Sequence, residues 1–244
     1  MIEFGRSIRW YNNYENEVAF SKENGFDFLQ LWYKQGIILL DEVSEPREEH
    51  IKRNGFPVII HALFDINEYE EYLPRLIEIL KYLEHNEVII HPVCESEEIE
   101  SKTIYKLCEK IAFASNELAK NGVKLVLENN SRLDPIHYES NEIELMFSKN
   151  PDVEFLLDVA HIDNYQHLKE LVRIKAPKIL HVADKHFDII HEHLPIGKGE
   201  LDYAMIFNDV LKDFDGKIIF EILDDDYEII HSKKIIEEIV RSSR

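Results

Sequence analysis

The sequence predicts an α/β chain closed into a single-domain (β/α)8 barrel, and three observations lead there. Short apolar runs alternate with longer amphipathic segments along the whole chain, the runs recur about every 31 residues, and most are continuously apolar rather than alternating. Strands alternating with helices imply βαβ crossovers, a unit of roughly 30 residues is one strand plus its helix, and unbroken apolar runs suit parallel strands covered on both faces.

Eight runs qualify as strands: IEFGRS from Ile2, FDFLQLWY from Phe26, PVIIHALF from Pro57, EVIIHPV from Glu87, VKLVLENN from Val123, VEFLLDVAH from Val153, KILHVADKH from Lys178 and KIIFEIL from Lys217. Helices fill the gaps. YEEYLPRLIEILKYLEHN carries Leu73, Leu76, Ile77, Leu80 and Leu83 at the spacing of one buried stripe. The longest helix runs between Ser101 and Gly122 and stops at Asn121-Gly122. Others are predicted near 16–24, 48–54, 141–149, 166–174, 203–214 and 232–241. Asn-Gly or Asp-Gly precedes a strand at 24–25, 54–55, 121–122 and 215–216, as αβ loops require. No linker or change of composition interrupts the series, so one TIM-barrel domain spans 1–244. A doubly wound sheet is the alternative reading of the alternation, but it needs a topological switch point that the sequence does not announce.

Hydrophobic residues make up 45% of the chain and charged residues 31%, with 8 Gly and 8 Pro, which excludes disordered, collagenous and low-complexity classes. Lys and Arg number 28 against 48 Asp and Glu, a net charge of −20 whose field opposes phosphate backbones and anionic membrane surfaces. Nucleic acid is therefore not expected as a partner. No stretch has the length of a membrane span, and MIEFGRSIRWYNN lacks the apolar core of a signal peptide, so a cytoplasmic location is expected. Cys94 and Cys108 are too few for a disulfide framework or a thiolate zinc site and read as reduced thiols.

In such a barrel chemistry occurs at the C-terminal mouth, so the polar residues that end apolar strands carry the information. They are His61, His91, Glu128, Asp158 with His161, His181 with Asp184 and His186, and Glu221. Each has a plain alternative: a single His is more often a hydrogen-bonded core residue, and Asp158-x-x-His161 alone is a weak spacing. Together they occur at equivalent points of consecutive units, where unpaired carboxylates would cost several kcal/mol each, and a divalent cation resolves that cost. Mixed N/O donors suit zinc, manganese, iron or cobalt better than calcium. His50, His85, His137, His167 and His231 fall away from the mouth and read as structural.

The segment HVADKHFDIIHEHLPIGKGELDY from His181 enters a long loop with His191-Glu192-His193 and then Gly197-Lys198-Gly199. The two glycines can free backbone N–H groups for a substrate oxygen or phosphate with Lys198 as cationic partner, or they form a plain tight turn. Trp10, Trp32 and Tyr33 lie near the mouth ends of the first two strands and read as an aromatic wall for a sugar ring or as packing.

At LENN (Glu128), LLDVAH (Asp158 to His161), LHVAD (His181), HEHLPIGKGELDY and FEIL (Glu221) the sequence resembles the sugar phosphate isomerase/epimerase-like proteins of the xylose isomerase-like barrel superfamily, which also contains endonuclease IV. The resemblance to its ketose 3-epimerases implies one metal, often manganese, held by Glu128, Asp158, His181 and Glu221, with Glu128 and Glu221 exchanging the substrate proton. In that chemistry the metal polarises a hydroxyketone and two carboxylates on opposite faces remove and return a proton. The resemblance to endonuclease IV implies three zinc ions on a wider set that adds His61, His91, His161 and His193, with His191 standing where that enzyme has Asp. Gln30 stands where sugar-processing relatives often carry Glu.

The first functional expectation is accordingly a metal-dependent isomerase or epimerase of a small sugar, polyol or sugar phosphate, with one to three zinc or manganese ions. Glu128 and Glu221 are its acid/base pair, and Trp32, Lys198 and His161 its substrate contacts. The alternative is an endonuclease IV-like multi-zinc phosphoester hydrolase; for a DNA substrate Arg6, Arg9, Lys34, Lys185 and Lys198 are few cations. A third reading is a non-catalytic metal-binding or scaffold barrel, which predicts a closed metal site. The sequence carries no signal for an oligomeric state.

Overall fold

A computed structural model describes residues 2–41 and 45–243; positions 1, 42–44 and 244 of the expected span lie outside the described residues. The strands are β1 (Glu3–Ser7), β2 (Phe28–Lys34), β3 (Ile37–Ile38), β4 (Val58–Asp65), β5 (Glu87–Val93), β6 (Lys124–Glu128), β7 (Glu154–Asp158), β8 (Ile179–Val182) and β9 (Lys217–Phe220). All except β3 pair in parallel with their neighbours, and β1 bonds both β2 and β9, so eight strands close into a barrel. Closure excludes the doubly wound alternative. The helices are α1 (Tyr14–Glu23), α2 (Arg47–Asn54), α3 (Tyr69–Tyr82), α4 (Ser101–Ala119), α5 (Ser140–Lys149), α6 (Tyr165–Ile174), α7 (Tyr203–Met205) and α8 (Asp226–Ser242).

Four local expectations need correction. The second apolar run does not lead straight to a helix: Gln35 and Gly36 both have positive φ, a two-residue hairpin turn that folds β3 antiparallel onto β2. On α3 the buried stripe uses Ile79, while Ile77 and Leu83 are half-buried. The helix predicted over 203–214 is only one turn of α-helix continued by a π-helical turn over Ile206–Val210. The last helix starts earlier than predicted because the Asp225 side chain accepts from Glu228 N, an N-cap that satisfies an otherwise orphan donor.

β1 also ties the outer layer together. Arg6 points outward onto α1, where its guanidinium donates to Glu17 at 2.7 Å and to Ser21 Oγ at 2.9 Å. Arg9 clasps the other Glu17 oxygen at 2.7 Å and reaches Asp226 at the start of α8 at 2.7 Å. The strand that closes the barrel is thus joined to the first and last helices.

Inside the barrel a separate apolar plug forms from Phe28, Ile59, Ile89, Val126, Leu156, Ile179 and Ile219, one residue from each of the eight barrel strands except β1. β1 contributes Gly5, which pairs in register with both Phe28 and Ile219. A Cβ at Gly5 would overlap the Phe28 ring, so the missing side chain is the space the ring fills. Gly5→Ala should therefore destabilise the fold by about 1–3 kcal/mol through overpacking, and Phe28→Leu in the same chain should recover part of that loss. Urea denaturation of the two variants against the parent checks both expectations.

Candidate metal centre

Side chains along a strand alternate between faces, so the residue two positions after each plug member points inward one layer closer to the mouth. From Gly5, Phe28, Ile59, Ile89, Val126, Leu156, Ile179 and Ile219 this rule arrives at Ser7, Gln30, His61, His91, Glu128, Asp158, His181 and Glu221. The next layer contributes Trp32, Leu63 and Leu223. The site is thus a polar ring on an apolar floor, built by the period of the strand.

Glu128 is central to the ring. One carboxylate oxygen lies 2.7 Å from His61 Nε2 and 2.8 Å from His91 Nδ1, and the other lies 2.9 Å from His181 Nδ1. The same His181 Nδ1 lies 3.2 Å from Glu221 Oε2 and 3.6 Å from Asp158 Oδ2. Burial alone would raise the Glu128 carboxyl, but His181, His91 and His61 outweigh it and hold the group well below the ordinary carboxylate range. Asp158 and Glu221 are lowered for the same reason: burial opposes, and the neighbouring imidazoles win. Burial pushes His61 and His161 down, and it drives His191 to about 4. His181 goes the other way, well above its usual value, because Glu221 and Glu128 overcome burial.

Asp158 and His161 meet because a single 3-10 turn, Val159–His161, follows β7 and brings residues three apart onto one side. Asp158 Oδ1 accepts from Ala160 N at 2.7 Å, which leaves Oδ2 aimed at the ring and 3.5 Å from His161 Nε2. His161 Nδ1–H donates to the Asn129 carbonyl at 2.9 Å, turning Nε2 toward the site. Asn129 Oδ1 also accepts from the Asp158 backbone N–H at 2.8 Å.

The loop after β8 supplies the remaining imidazoles. Asp184 and Leu194 form an isolated antiparallel bridge that folds the intervening segment back over the mouth. The Asp184 carboxylate accepts from the backbone N–H groups of Lys185, Gly197 and Leu201 at 2.8–3.0 Å. His191 and His193, two apart, both face the cavity, whereas Glu192 between them turns away and accepts from His186. His193 Nε2 lies 3.3 Å from His161 Nε2, and Ser131 Oγ lies 3.2 Å from His191 Nδ1.

All nine residues expected from the sequence to hold metal are brought together here. Their donor atoms form three neighbouring sets: His61 with His91 and Glu128; Glu128 with Asp158, His181 and Glu221; and His161 with His191 and His193. A fourth grouping, His61 with His181 and Glu221, overlaps these, and within each group the donors lie within 4.8 Å of one another. The donor chemistry fits a divalent cation, since ionised carboxylates and neutral imidazoles are the forms that ligate, and the site holds its three carboxylates ionised and keeps His61, His161 and His191 below their usual value. Asp158 Oδ2 and His61 Nδ1 are buried with no hydrogen-bond partner among the described residues, as atoms reserved for a cation would be.

Other expectations fare differently. The Lys198 ammonium lies 3.2 Å from Glu228 of α8 and is not among the residues lining the cavity. The Gly197 N–H is taken by Asp184, and Gly199 is packed against Lys185 O, so this turn shapes the loop instead of presenting N–H groups to a ligand. Asp184 and His186 likewise serve the loop. Trp32 lines the cavity with its ring 4.6 Å from that of His61, but Tyr33 points to the opposite face and donates to Tyr72 O, and Trp10 packs on Tyr11 outside. Neither His50, His85, His137, His167 nor His231 lines the cavity. Two ring members, Ser7 and Gln30, carry no charge and escaped the search for strand-ending ligands; counting two residues on from an inward apolar residue finds them.

The cavity over the ring has a volume of about 380 Å³ and is walled by Trp32, Leu63, Leu133 and Leu223 above the polar groups, within the usual size of a small-molecule site. If Asp184 organises the loop, Asp184→Ala should make the segment between residues 185 and 201 several times more sensitive to limited proteolysis while far-UV circular dichroism stays unchanged. Equal cleavage of variant and parent would contradict that role.

The profile of the xylose isomerase-like TIM barrel family matches residues 18–244. No curated protein matches the chain significantly. Among solved structures, a D-tagatose 3-epimerase-like protein superposes with a TM-score of 0.77 at 19% identity, covering 99% of this chain and 98% of its own. An L-ribulose 3-epimerase gives 0.76 at 14% identity, with 100% and 96% covered. The IolI protein, solved with a zinc atom, gives 0.73 at 15% identity, with 99% of each chain covered. At these identities the structures attest the fold, and the family match extends over nearly the whole chain, from the middle of α1 to its last residue: this chain belongs to the xylose isomerase-like TIM barrel family.

Proposed function

We propose that the chain is a metal-dependent isomerase or epimerase of a small sugar or polyol. The observation that carries the reading is the placement of Glu128 and Glu221, two ionised carboxylates that approach one imidazole, His181, from separate strands and both line a cavity of sugar size. When bound, a divalent cation supplies Lewis acidity that polarises a substrate carbonyl and acidifies the adjacent C–H. Glu128, Asp158, His181 and Glu221 would hold it, with zinc or manganese as the fitting ions. One carboxylate then takes the proton from one face of the substrate carbon and the other returns a proton to the opposite face. Trp32 offers a flat apolar surface for the ring, and His161 stands within the same wall as a partner for a substrate hydroxyl. Among the described residues, none that lines the cavity is Lys or Arg, which favours an uncharged sugar over a sugar phosphate. Neighbours named as tagatose- and ribulose-type 3-epimerases are consistent with this class.

A second reading, multi-zinc phosphoester hydrolysis, is favoured by one observation: His161, His191 and His193 form a further donor set that proton transfer at one cation does not need. Metal content and isotope exchange separate the two. In D2O the epimerase reading expects deuterium to enter a ketose at the carbon next to its carbonyl, read by NMR, with one cation sufficing for activity. Glu128→Gln and Glu221→Gln should each lower turnover about 10²–10⁴-fold, the contribution of a positioned acid or base, with cooperative unfolding retained. Two or three zinc ions per chain, turnover of phosphoesters and no C–H exchange would instead establish the hydrolase. Trp32→Ala should raise KM severalfold with metal content unaltered; an unchanged KM would remove the stacking role.

A further inference from the structure

Gln30 is fully buried in the ring, and its amide is engaged on every side. Its Oε1 lies 2.7 Å from His181 Nε2, and its Nε2 lies 3.1 Å from Glu221 Oε1 and 2.9 Å from Ser7 Oγ. The orientation of the amide follows from Glu221. With the amide reversed, its oxygen would face the ionised carboxylate at the same distance, two acceptors in a buried site with no hydrogen between them. The N–H2 must therefore face Glu221, and the oxygen must face His181, where only an N–H can satisfy it.

We infer that Gln30 is a positioning residue which fixes His181 as the Nε2–H tautomer and holds Glu221 beside it, setting the geometry in which the cation is taken up. This rests on the metal-dependent reading of the site. With its Nε2–H turned to Gln30, His181 directs Nδ1 at oxygens of Glu128, Glu221 and Asp158 at 2.9, 3.2 and 3.6 Å, where a cation would take the place of the hydrogen that these carboxylates favour on Nδ1. The amide also spares the site a charge. A carboxylate at this position would keep the acceptor for His181 but set a like charge against Glu221. Gln30 thus serves two ligands at once, one by accepting and one by donating, which an amide can do and an ionised acid cannot. Ser7 completes the arrangement by accepting the second amide hydrogen.

The test uses zinc alone as probe, with affinity read by competition against a chromophoric chelator and the His181 side chain read by long-range 1H–15N NMR on the zinc-loaded protein. In the parent, His181 is expected to carry its hydrogen on Nε2 as a slowly exchanging proton, with Nδ1 shifted by zinc. Gln30→Leu should weaken zinc affinity about 10–100-fold, the usual effect of removing a group that orients a ligand, and should lose the slowly exchanging proton. Gln30→Glu should restore that proton. Zinc affinity equal to the parent in a folded Gln30→Leu overturns the inference. So does a hydrogen found on Nδ1 of His181 in the zinc-loaded parent, a result that does not depend on any variant folding. A parent chain that takes up no zinc or manganese overturns the metal-dependent reading itself, whereas normal uptake by parent and variant alike removes only the role of Gln30.

Discussion

Three carboxylates, Glu128, Asp158 and Glu221, are buried within reach of one another directly above an apolar plug, and the rest of the site answers that arrangement. Each ion withdrawn from water costs several kcal/mol unless opposite charge or hydrogen bonds compensate it, and the plug below offers neither. Compensation therefore comes from the side and from above. His61, His91 and His181 surround Glu128; the Ala160 N–H of the 3-10 turn donates to the Asp158 carboxylate; Gln30 donates to Glu221. The donor geometry that remains has the composition of a cation site, because anionic oxygens and imidazole nitrogens converge there within ligating reach of one another.

Much of this was legible in the sequence, for a physical reason that can be stated residue by residue. His, Asp and Glu at the end of an apolar run are conspicuous, and the βα period of about 31 residues marks them as equivalent. Six ring members, from His61 to Glu221, were found in that way. Ser7 was not, since a neutral polar residue inside EFGRS draws no attention until the inward face of the strand is known, and Gln30 was noticed through the resemblance alone. The same face explains why Trp32 reaches the cavity and Tyr33 does not: they are neighbours on a strand and so point in opposite directions.

The loop after β8 was less legible because no periodicity governs it. His191 and His193 were recognised from the resemblance, but Lys198 was assigned to substrate from its place between glycines alone. What decides its fate is the Asp184 carboxylate, which takes the backbone N–H groups of Gly197 and Leu201 and so directs that turn toward α8 and Glu228. Such a contact spans many residues and leaves no local pattern. The short α7 and its π-helical continuation escaped for a related reason, since the apolar spacing of 203–214 is compatible with helix while the backbone bonds that would extend it are not made.

The plug has one more effect, on traffic. Its seven side chains are between 0% and 4% exposed and, with Phe28 filling the gap at Gly5, they close the barrel from below. Among the described residues the cavity over the ring lies on the mouth side of this plug, so a molecule bound there would enter and leave from that side. Under the proposed function, reactant and product would then exclude one another from the same chamber, and product present in excess would compete with reactant for an empty chamber rather than hinder it from elsewhere.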